Sequence, residues 1–428
     1  MNCPYLKIRV LAIVCVNPHQ VVDEILESID PMNSPFTHPL IDEVTLTTVI
    51  RRILDSKIAT LGEWHAEAIA HHIINNVTAG LQRITGIANN GSEELSWSVI
   101  LKILHLQPEN AGSIFNSSQD PTHWNYWQRE ALIYTSGMLD NLTNDLVAPR
   151  CFAVTEPSPN VVWLWLEDIQ GSPGSTWTME RFGVAARHLG YLQGSYVMAQ
   201  SLPSEPWLSR DWHRAWVSNI DSTALEALQE PTVWQHPLIK EIFSPDIGDR
   251  VMDLWSDRHI LLDAVDKAPH TLCHFDITPN NLFSRRNADG NDQTVLIDWS
   301  FVGYGVLGED IINLVLDSVF LLFVDGSSLI PLEKLVLEGY LTGLRSAGWN
   351  GDERFVRFTY AALAALHFGL IAGRLLKLVQ NESRRSWLEQ RFGRTFDEII
   401  TSRAIAITHG LKLADEARLL LPSLFVIN

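Results

Sequence analysis

The run His274-Phe275-Asp276-Ile277-Thr278-Pro279-Asn280-Asn281, followed by Val295-Leu296-Ile297-Asp298-Trp299, constrains this chain more than any other feature. Between the two stretches, residues 287–292 are Asn, Ala, Asp, Gly, Asn and Asp, a composition that turns the chain back on itself. Residues 273–283, the turn and residues 295–299 therefore read as a loop and a hairpin whose ends meet. Pro279 and Asn280 supply a second turn that returns Asn281 towards Asp276. Each side chain alone is ordinary, since an Asn or an Asp often caps a turn or a helix. In this order, with a hairpin between them, they gather hard oxygen donors of the kind Mg²⁺ favours next to a carboxylate that can accept a proton.

That set matches the needs of phosphoryl transfer, which asks a protein for positioning and charge neutralisation more than for covalent chemistry. Asp276 is the candidate base for an attacking hydroxyl. Asn281 and Asp298 are the candidate Mg²⁺ ligands. His274 is read as an organiser of the loop rather than as a base.

Residues 274–283 resemble the catalytic loop of the aminoglycoside phosphotransferase and choline kinase-like superfamily, and residues 295–299 resemble its metal-binding strand. Gly308-Glu309-Asp310-Ile311 is similar to the segment that follows, where an Asp helps hold the catalytic loop. The resemblance covers about residue 64 to the C-terminus, in short islands. It implies ATP and Mg²⁺ as cofactors and an α+β, bilobal protein-kinase-like fold. By the same resemblance Lys102 meets the α- and β-phosphates and Glu130 is its ion-pair partner. Leu166, Glu167 and Asp168 form the interlobe hinge that binds the adenine. The glycine-rich phosphate loop is reduced to Asn75-Asn76-Val77-Thr78-Ala79-Gly80, with one glycine. This departure fits small-molecule kinases better than protein kinases.

The pattern along the chain agrees with two lobes. Residues 21–29 and 44–58 carry apolar residues at helical spacing and form a helical N-terminal extension over 1–63. Strands are expected over 65–74, 81–88 and 96–104, the last two joined by a hairpin at Asn89-Asn90-Gly91-Ser92. A helix over 124–139 and a strand over 161–166 complete a small N-lobe at 64–168. Residues 169–428 form a larger helical C-lobe, opening with a helix over 179–198 that presents Val184, His188, Tyr191 and Leu192.

Composition narrows the partners. Lys and Arg number 32 against 50 Asp and Glu, a formal net charge of −18. Such a chain repels nucleic acid and anionic membrane and tolerates a cationic small molecule. Four scattered cysteines without a paired motif fit a reducing, cytoplasmic location. The apolar run 10–16 lacks a small-residue cleavage site after it, so export is not expected. Apolar stretches at 314–324 and 361–372 are short for a bilayer and read as core helices.

The expected function is transfer of the ATP γ-phosphate to a hydroxyl of a small molecule: an antibiotic, an amino alcohol or a sugar. Asp317, Asp325, Glu205 and Asp211 are the acidic candidates for a cationic acceptor, while Trp207, Trp212 and Trp216 read first as core. Two alternatives belong to other classes. A nucleotide-binding pseudokinase would bind without turnover, and a metal-dependent hydrolase built on His274, Asp276 and Asp298 would act without nucleotide.

Overall fold

The computed structural model describes residues 41–69, 77–107, 117–143, 145–199, 201–220 and 222–425. The expected helix at 21–29, and Asn75 and Asn76 of the reduced phosphate loop, lie outside them. The first described element is helix α1 (Glu43–Ile53), capped by Asp42, whose carboxylate accepts the Thr45 N–H at 2.7 Å. It ends short of the expected residue 58, because the chain must reverse to enter strand β1 (Thr60–Ala68), itself earlier than anticipated.

β1 pairs with β2 (Thr78–Asn90), and β2 with β3 (Glu93–His105), in antiparallel register. Gly91, at φ +71°, makes the tight turn between β2 and β3 at the expected place. Strands β4 (Leu146–Val147), β5 (Cys151–Ser158) and β6 (Val161–Leu166) follow. The main sheet runs β1-β2-β3-β6-β5.

The period-two alternation of β3 decides what each face of the sheet meets. Trp97, Val99, Leu101 and Ile103 point to one side and pack with Leu46, Val49 and Ile50 of α1 and with Trp163 and Trp165 of β6. Helix α1 is therefore packing for the small lobe. The opposite face carries Ile100, Lys102 and Leu104 towards Trp127 and Ala131. A lysine in that row is forced into the interior, and it needs partners there.

Those partners come from α2 (Arg129–Thr135), much shorter than the expected 124–139 helix. Gly137, at φ +78°, closes it, and residues 124–128 are held in turns by contacts described below. Past β7 (Ser172–Pro173), α3 spans Met179–Met198 as anticipated. Its buried face is Phe182, Ala185, Ala186, His188, Leu189, Leu192 and Gln193, whereas Tyr191, assigned to that face by sequence, is exposed. Helix α4 (Trp212–Ser218) leads into a helical bundle that includes Leu329–Ser346, Glu353–Phe368 and Phe396–Leu424.

Set into this bundle are β8 (His270–Cys273), β9 (Leu282–Arg286), β10 (Asp292–Leu296) and β11 (Gly303–Val306). β9 and β10 form the expected hairpin, with Leu282 opposite Leu296. The apolar stretch at 361–372 lies in the core, as expected, but the reading of it as short for a bilayer is corrected. The helix Glu353–Phe368 continues through a 3-10 turn at Gly369–Ile371 into Ala372–Gln380, and the helical run Glu353–Gln380 is long and apolar enough to cross a membrane by length and composition, with a window of mean hydropathy 1.6. Of that window 72% is buried inside the fold, as a core helix requires.

Candidate active site

The site begins where β10 is broken. The strand stops at Leu296, and Asp298 takes φ +62°, a left-handed conformation that Asp tolerates better than most residues. The break turns its carboxylate out of the sheet, and Oδ1 lies 2.9 Å from Lys102 Nζ. The same ammonium is 2.6 Å from Glu130 Oε2 on α2. Burial works against the charge of Lys102, but Asp298 and then Glu130 outweigh it and hold the ammonium above its ordinary pKa. Glu130 is pushed up to about 7 by burial, with Lys102 opposing. Asp298, half-buried, is pulled below its ordinary value chiefly by Lys102, against the opposing effect of desolvation.

The loop over 274–281 is tied to this cluster through backbone. Asn281 O accepts the Ile297 N–H at 3.0 Å, and the Ile297 carbonyl accepts from His274 Nε2 at 3.0 Å. His274 Nδ1 in turn accepts the Asp276 N–H at 3.2 Å. Both ring nitrogens are thus committed, and burial lowers the imidazole to about 4, so it stays neutral. It organises the loop and has no free nitrogen for a metal. Among the described residues no group of three His, Cys, Asp or Glu is placed to hold a metal, which leaves the hydrolase alternative without a ligand set.

Asn281 Nδ2 donates to Asp276 Oδ2 at 2.8 Å and to the Asp276 carbonyl at 2.9 Å. That orientation leaves Oδ1 with no protein donor among the described residues and frees it for a cation. Asp276 is pushed up to about 8 by burial, by Asp298 and by Asp317, while Asn281 and Lys102 pull it back. The three side chains picked out by their spacing are therefore brought to one place.

A second layer fixes the loop. Phe275 sits at φ +67°, a costly conformation for a bulky residue, on the order of 1–3 kcal/mol. It is held by Asp310, whose Oδ1 accepts the Phe275 N–H at 2.7 Å and whose Oδ2 accepts the His274 N–H at 2.9 Å. Gln193 Nε2 donates to the same Oδ2 at 2.8 Å, and its Oε1 accepts from Tyr340 Oη. Tyr340 Oη also accepts the Gly308 N–H at 3.2 Å. Gly308, at φ +92°, leaves no room for a side chain, since an added Cβ would stand 2.7 Å from the Val356 carbonyl. Sequence reasoning found Asp310 but missed Gln193 and Tyr340. The one available signal was a glutamine on the apolar face of α3.

The residues expected to form the hinge end β6 and follow directly from it. Leu166 ends β6, opposite Ile100 of β3. Glu167 donates its N–H to the Arg150 carbonyl at 2.8 Å and pairs with Arg285 at 2.5 Å, so that N–H is already engaged within the protein. Asp168 pairs with Arg83 of β2 at 3.0 Å.

Of the acidic acceptor candidates, Asp317 alone appears among the charges acting on Asp276. It closes a π-helical turn, Asn313–Asp317, inside the stretch anticipated as an ordinary core helix, and accepts from Asn313 at 2.6 Å. Such widened turns recur at functional sites. Asp325 caps Ser327, while Glu205 is half-buried and Asp211 exposed. Trp212 stacks on Phe275 at 5.5 Å, beside the loop, and Trp207 is buried in the main core, so both are packing residues.

Comparison with known proteins gives two findings. The family model described as APH, phosphotransferase enzyme family, matches residues 128–347, just over half of the chain. The match contains Glu130, Asp276, Asn281, Asp298 and Asp310, and excludes Lys102. Similar solved structures include a spectinomycin phosphotransferase in complex with ADP and spectinomycin, at 14% identity, covering 87% of this chain and 100% of that one, TM-score 0.44. A choline kinase from Cryptosporidium parvum Iowa II is similar at 15% identity, over 89% and 98% of the two chains, TM-score 0.47. An amicoumacin kinase in complex with AMP-PNP, Ca²⁺ and Ami is similar at 14% identity, over 78% and 88%, TM-score 0.44. No curated protein sequence matches the chain.

Proposed function

The chain belongs to the phosphotransferase enzyme family, and on that premise we propose that it moves the γ-phosphate of ATP to a hydroxyl of a small molecule. The observation that carries this reading is the contact of Lys102 with both Glu130 and Asp298 beside a loop in which Asn281 is bonded to Asp276. In the reaction an acceptor O–P bond forms, the bond from Pγ to the β-phosphate oxygen breaks, and the hydroxyl proton passes to Asp276 or onward to water. Asp276 orients that hydroxyl. Lys102 steadies the phosphates, with Glu130 keeping the ammonium in place.

Mg²⁺ fits the donors present. It is a hard cation that takes one or two protein oxygens and completes its shell with water and phosphate. Asn281 Oδ1 and the Asp298 carboxylate would hold it, and when bound it supplies neutralisation of phosphate charge. Residues 64–168 would carry the nucleotide, with Leu166, Glu167 and Asp168 beside the adenine. Residues 169–428 would carry the loop and the acceptor, and the reaction would take place in the cytoplasm. Asp317, whose charge acts on Asp276 and whose carboxylate is paired, among the described residues, only with the uncharged Asn313, favours an acceptor that carries an amine, and the net charge of −18 points the same way.

The test is ADP release from Mg²⁺-ATP across hydroxylated amines, sugars and antibiotics, with mass analysis of the acceptor for an added phosphate. A phosphorylated acceptor whose formation stops in Asp276→Asn is the expected result. Nucleotide binding without any phosphorylated product across those classes would replace this reading with the pseudokinase one.

A further inference from the structure

Arg129 is fully buried and precedes Glu130 on α2. Its guanidinium faces five main-chain carbonyls. Nε donates to Trp207 O at 2.7 Å, and Nη1 donates to Trp124 O at 2.6 Å and Ser300 O at 3.2 Å. Nη2 donates to His123 O at 2.6 Å and to Pro121 O at 3.4 Å. Among the described residues no carboxylate pairs with it. Burial lowers the guanidinium to about 10, which leaves it charged at neutral pH.

A buried, unpaired cation is costly, and a leucine or methionine would fill the space more cheaply. What an apolar residue cannot do is bind several strands of backbone at once through a planar fork. The segments joined here are informative. Ser300 lies two residues beyond Asp298. Trp207 belongs to the helical lobe. Residues 121–124 lead into α2 and bring Trp124 against Trp212 and Phe301, with ring centroids 5.4 and 6.0 Å apart. The neighbouring Glu130 carries the other contact of this helix, with Lys102 Nζ at 2.6 Å, and Lys102 in turn meets Asp298 at 2.9 Å. Successive residues of α2 therefore bear on Asp298 in two ways: Arg129 donates to the backbone that follows it, and Glu130 pairs with the lysine that Asp298 also holds.

We propose that Arg129 is a positioning residue of the phosphoryl-transfer site, a charged peg that fixes α2 to the backbone following Asp298 and so sets the spacing of Lys102, Glu130 and Asp298. The inference rests on the phosphotransferase reading above. It separates Arg129 from residues that touch nucleotide or acceptor. It also explains why the chain enters α2 through turns: the carbonyls of Pro121, His123 and Trp124 accept from the guanidinium and not from a helical ladder.

Arg129→Lys and Arg129→Ala test this in the full chain. Lysine keeps the charge but offers three donors and no plane, so it cannot satisfy the same set of carbonyls. The expected result for Arg129→Lys is a folded protein whose kcat falls ~10²-fold, with acceptor KM within about 2-fold of wild type, because misplacement of ~1 Å costs that much. In Arg129→Ala, millimolar guanidinium should restore activity, and amide exchange across residues 298–302 should be faster in both variants. Arg129→Lys with wild-type kcat and wild-type exchange overturns the proposal. So does an activity loss in both variants that follows the folded fraction and is not rescued. Should the wild type release no ADP with any acceptor, the phosphotransfer reading fails by itself, and the exchange measurement still decides what Arg129 does.

Discussion

Replacing Asp310 by Asn gives the sharpest test of how the loop holds its base. The wild-type carboxylate accepts two adjacent backbone N–H groups, from His274 and Phe275, and a third bond from Gln193. An amide of the same shape keeps one acceptor oxygen and turns an NH₂ group towards a backbone donor. One buried N–H is orphaned and the other loses a charged partner, at about 1.5–3 kcal/mol per bond to a charged group. Burial pushes the Asp310 carboxyl up to about 7, so its charge is partial near neutrality and the low end applies. The two losses then come to about 3 kcal/mol, and release of Phe275 from its left-handed φ returns about 1 kcal/mol. A net loss of about 2 kcal/mol should appear in chemical denaturation. The relaxed loop carries Asp276 with it, and kcat should fall ~10²-fold with little change in ATP affinity. Steady-state ADP release and denaturant melts on the same preparation measure both. A variant that loses the stability but keeps wild-type kcat would show that Asp310 serves only the fold, and the positioning argument would be refuted.

Three further outcomes are expected. Asp276→Asn should lower kcat by ~10²–10⁴-fold, the usual range for a positioned acid–base group, while Mg²⁺-ATP still raises the melting temperature; unchanged turnover would remove Asp276 from the mechanism. Lys102→Met should raise the KM for ATP at least ~10-fold and cost less than the ~3–5 kcal/mol typical of a broken buried pair, because Glu130, already near 7, can take up a proton. Adding Glu130→Gln to Lys102→Met should then cost little more, and fully additive losses would disprove the coupling. His213 lies 3.1 Å from Asp266 and 3.5 Å from Glu309, with Arg214 on the far side of Asp266 and His367 nearby. It is raised to about 9: burial opposes its charge, and Glu309 and Asp266 outweigh burial. A raised imidazole stabilises fully below its unfolded pKa of about 6.5 and loses that contribution as pH climbs through 9, on the order of 2–3 kcal/mol. Equilibrium unfolding at pH 6 and pH 9 should show this drop, and His213→Gln should flatten it.

The parts of the site legible in sequence are those whose geometry is local. Asn281 reaches Asp276 across a turn of a few residues, and the hairpin after it needs only Asn and Gly chemistry to bring Asp298 back. Strand β6 and helix α3 were equally readable, since each carries its own period and its own stop. Lys102 required more: a lysine on a strand is usually solvated, and only the order of carboxylates downstream marks this one as buried. The errors came where tertiary contacts overrule local preference. Residues 124–128 have helical composition, yet the Arg129 guanidinium claims the Trp124 carbonyl with those of Pro121 and His123 before it, and the Ser118 N–H takes the Asn125 carbonyl. Asp298 and Phe275 leave regular backbone for left-handed conformations that no propensity announces. Tyr340 and Gln193, 147 residues apart in sequence, meet only because their helices pack.

This division has a physical cause. Oxygens that bind a metal or a proton must lie within a few ångströms of one another, and short loops achieve that with little loss of chain entropy. The lattice that keeps them there must resist the separation of two lobes, so it draws on carbonyls and side chains from distant segments. Arg129 and Asp310 are its two clearest members. Arg129 donates to the backbone after Asp298, and Asp310 accepts from the backbone before Asp276. Asp298 and Asp276, the proposed metal ligand and base, are thus held by opposite charges acting on opposite ends of the peptide group. If both act as positioning residues, their substitutions should interact: Arg129→Lys combined with Asp310→Asn should lower kcat by less than the product of the single effects, because a base already displaced gains nothing from a correctly placed Asp298. Strict multiplicativity would mean that the two anchors serve separate steps.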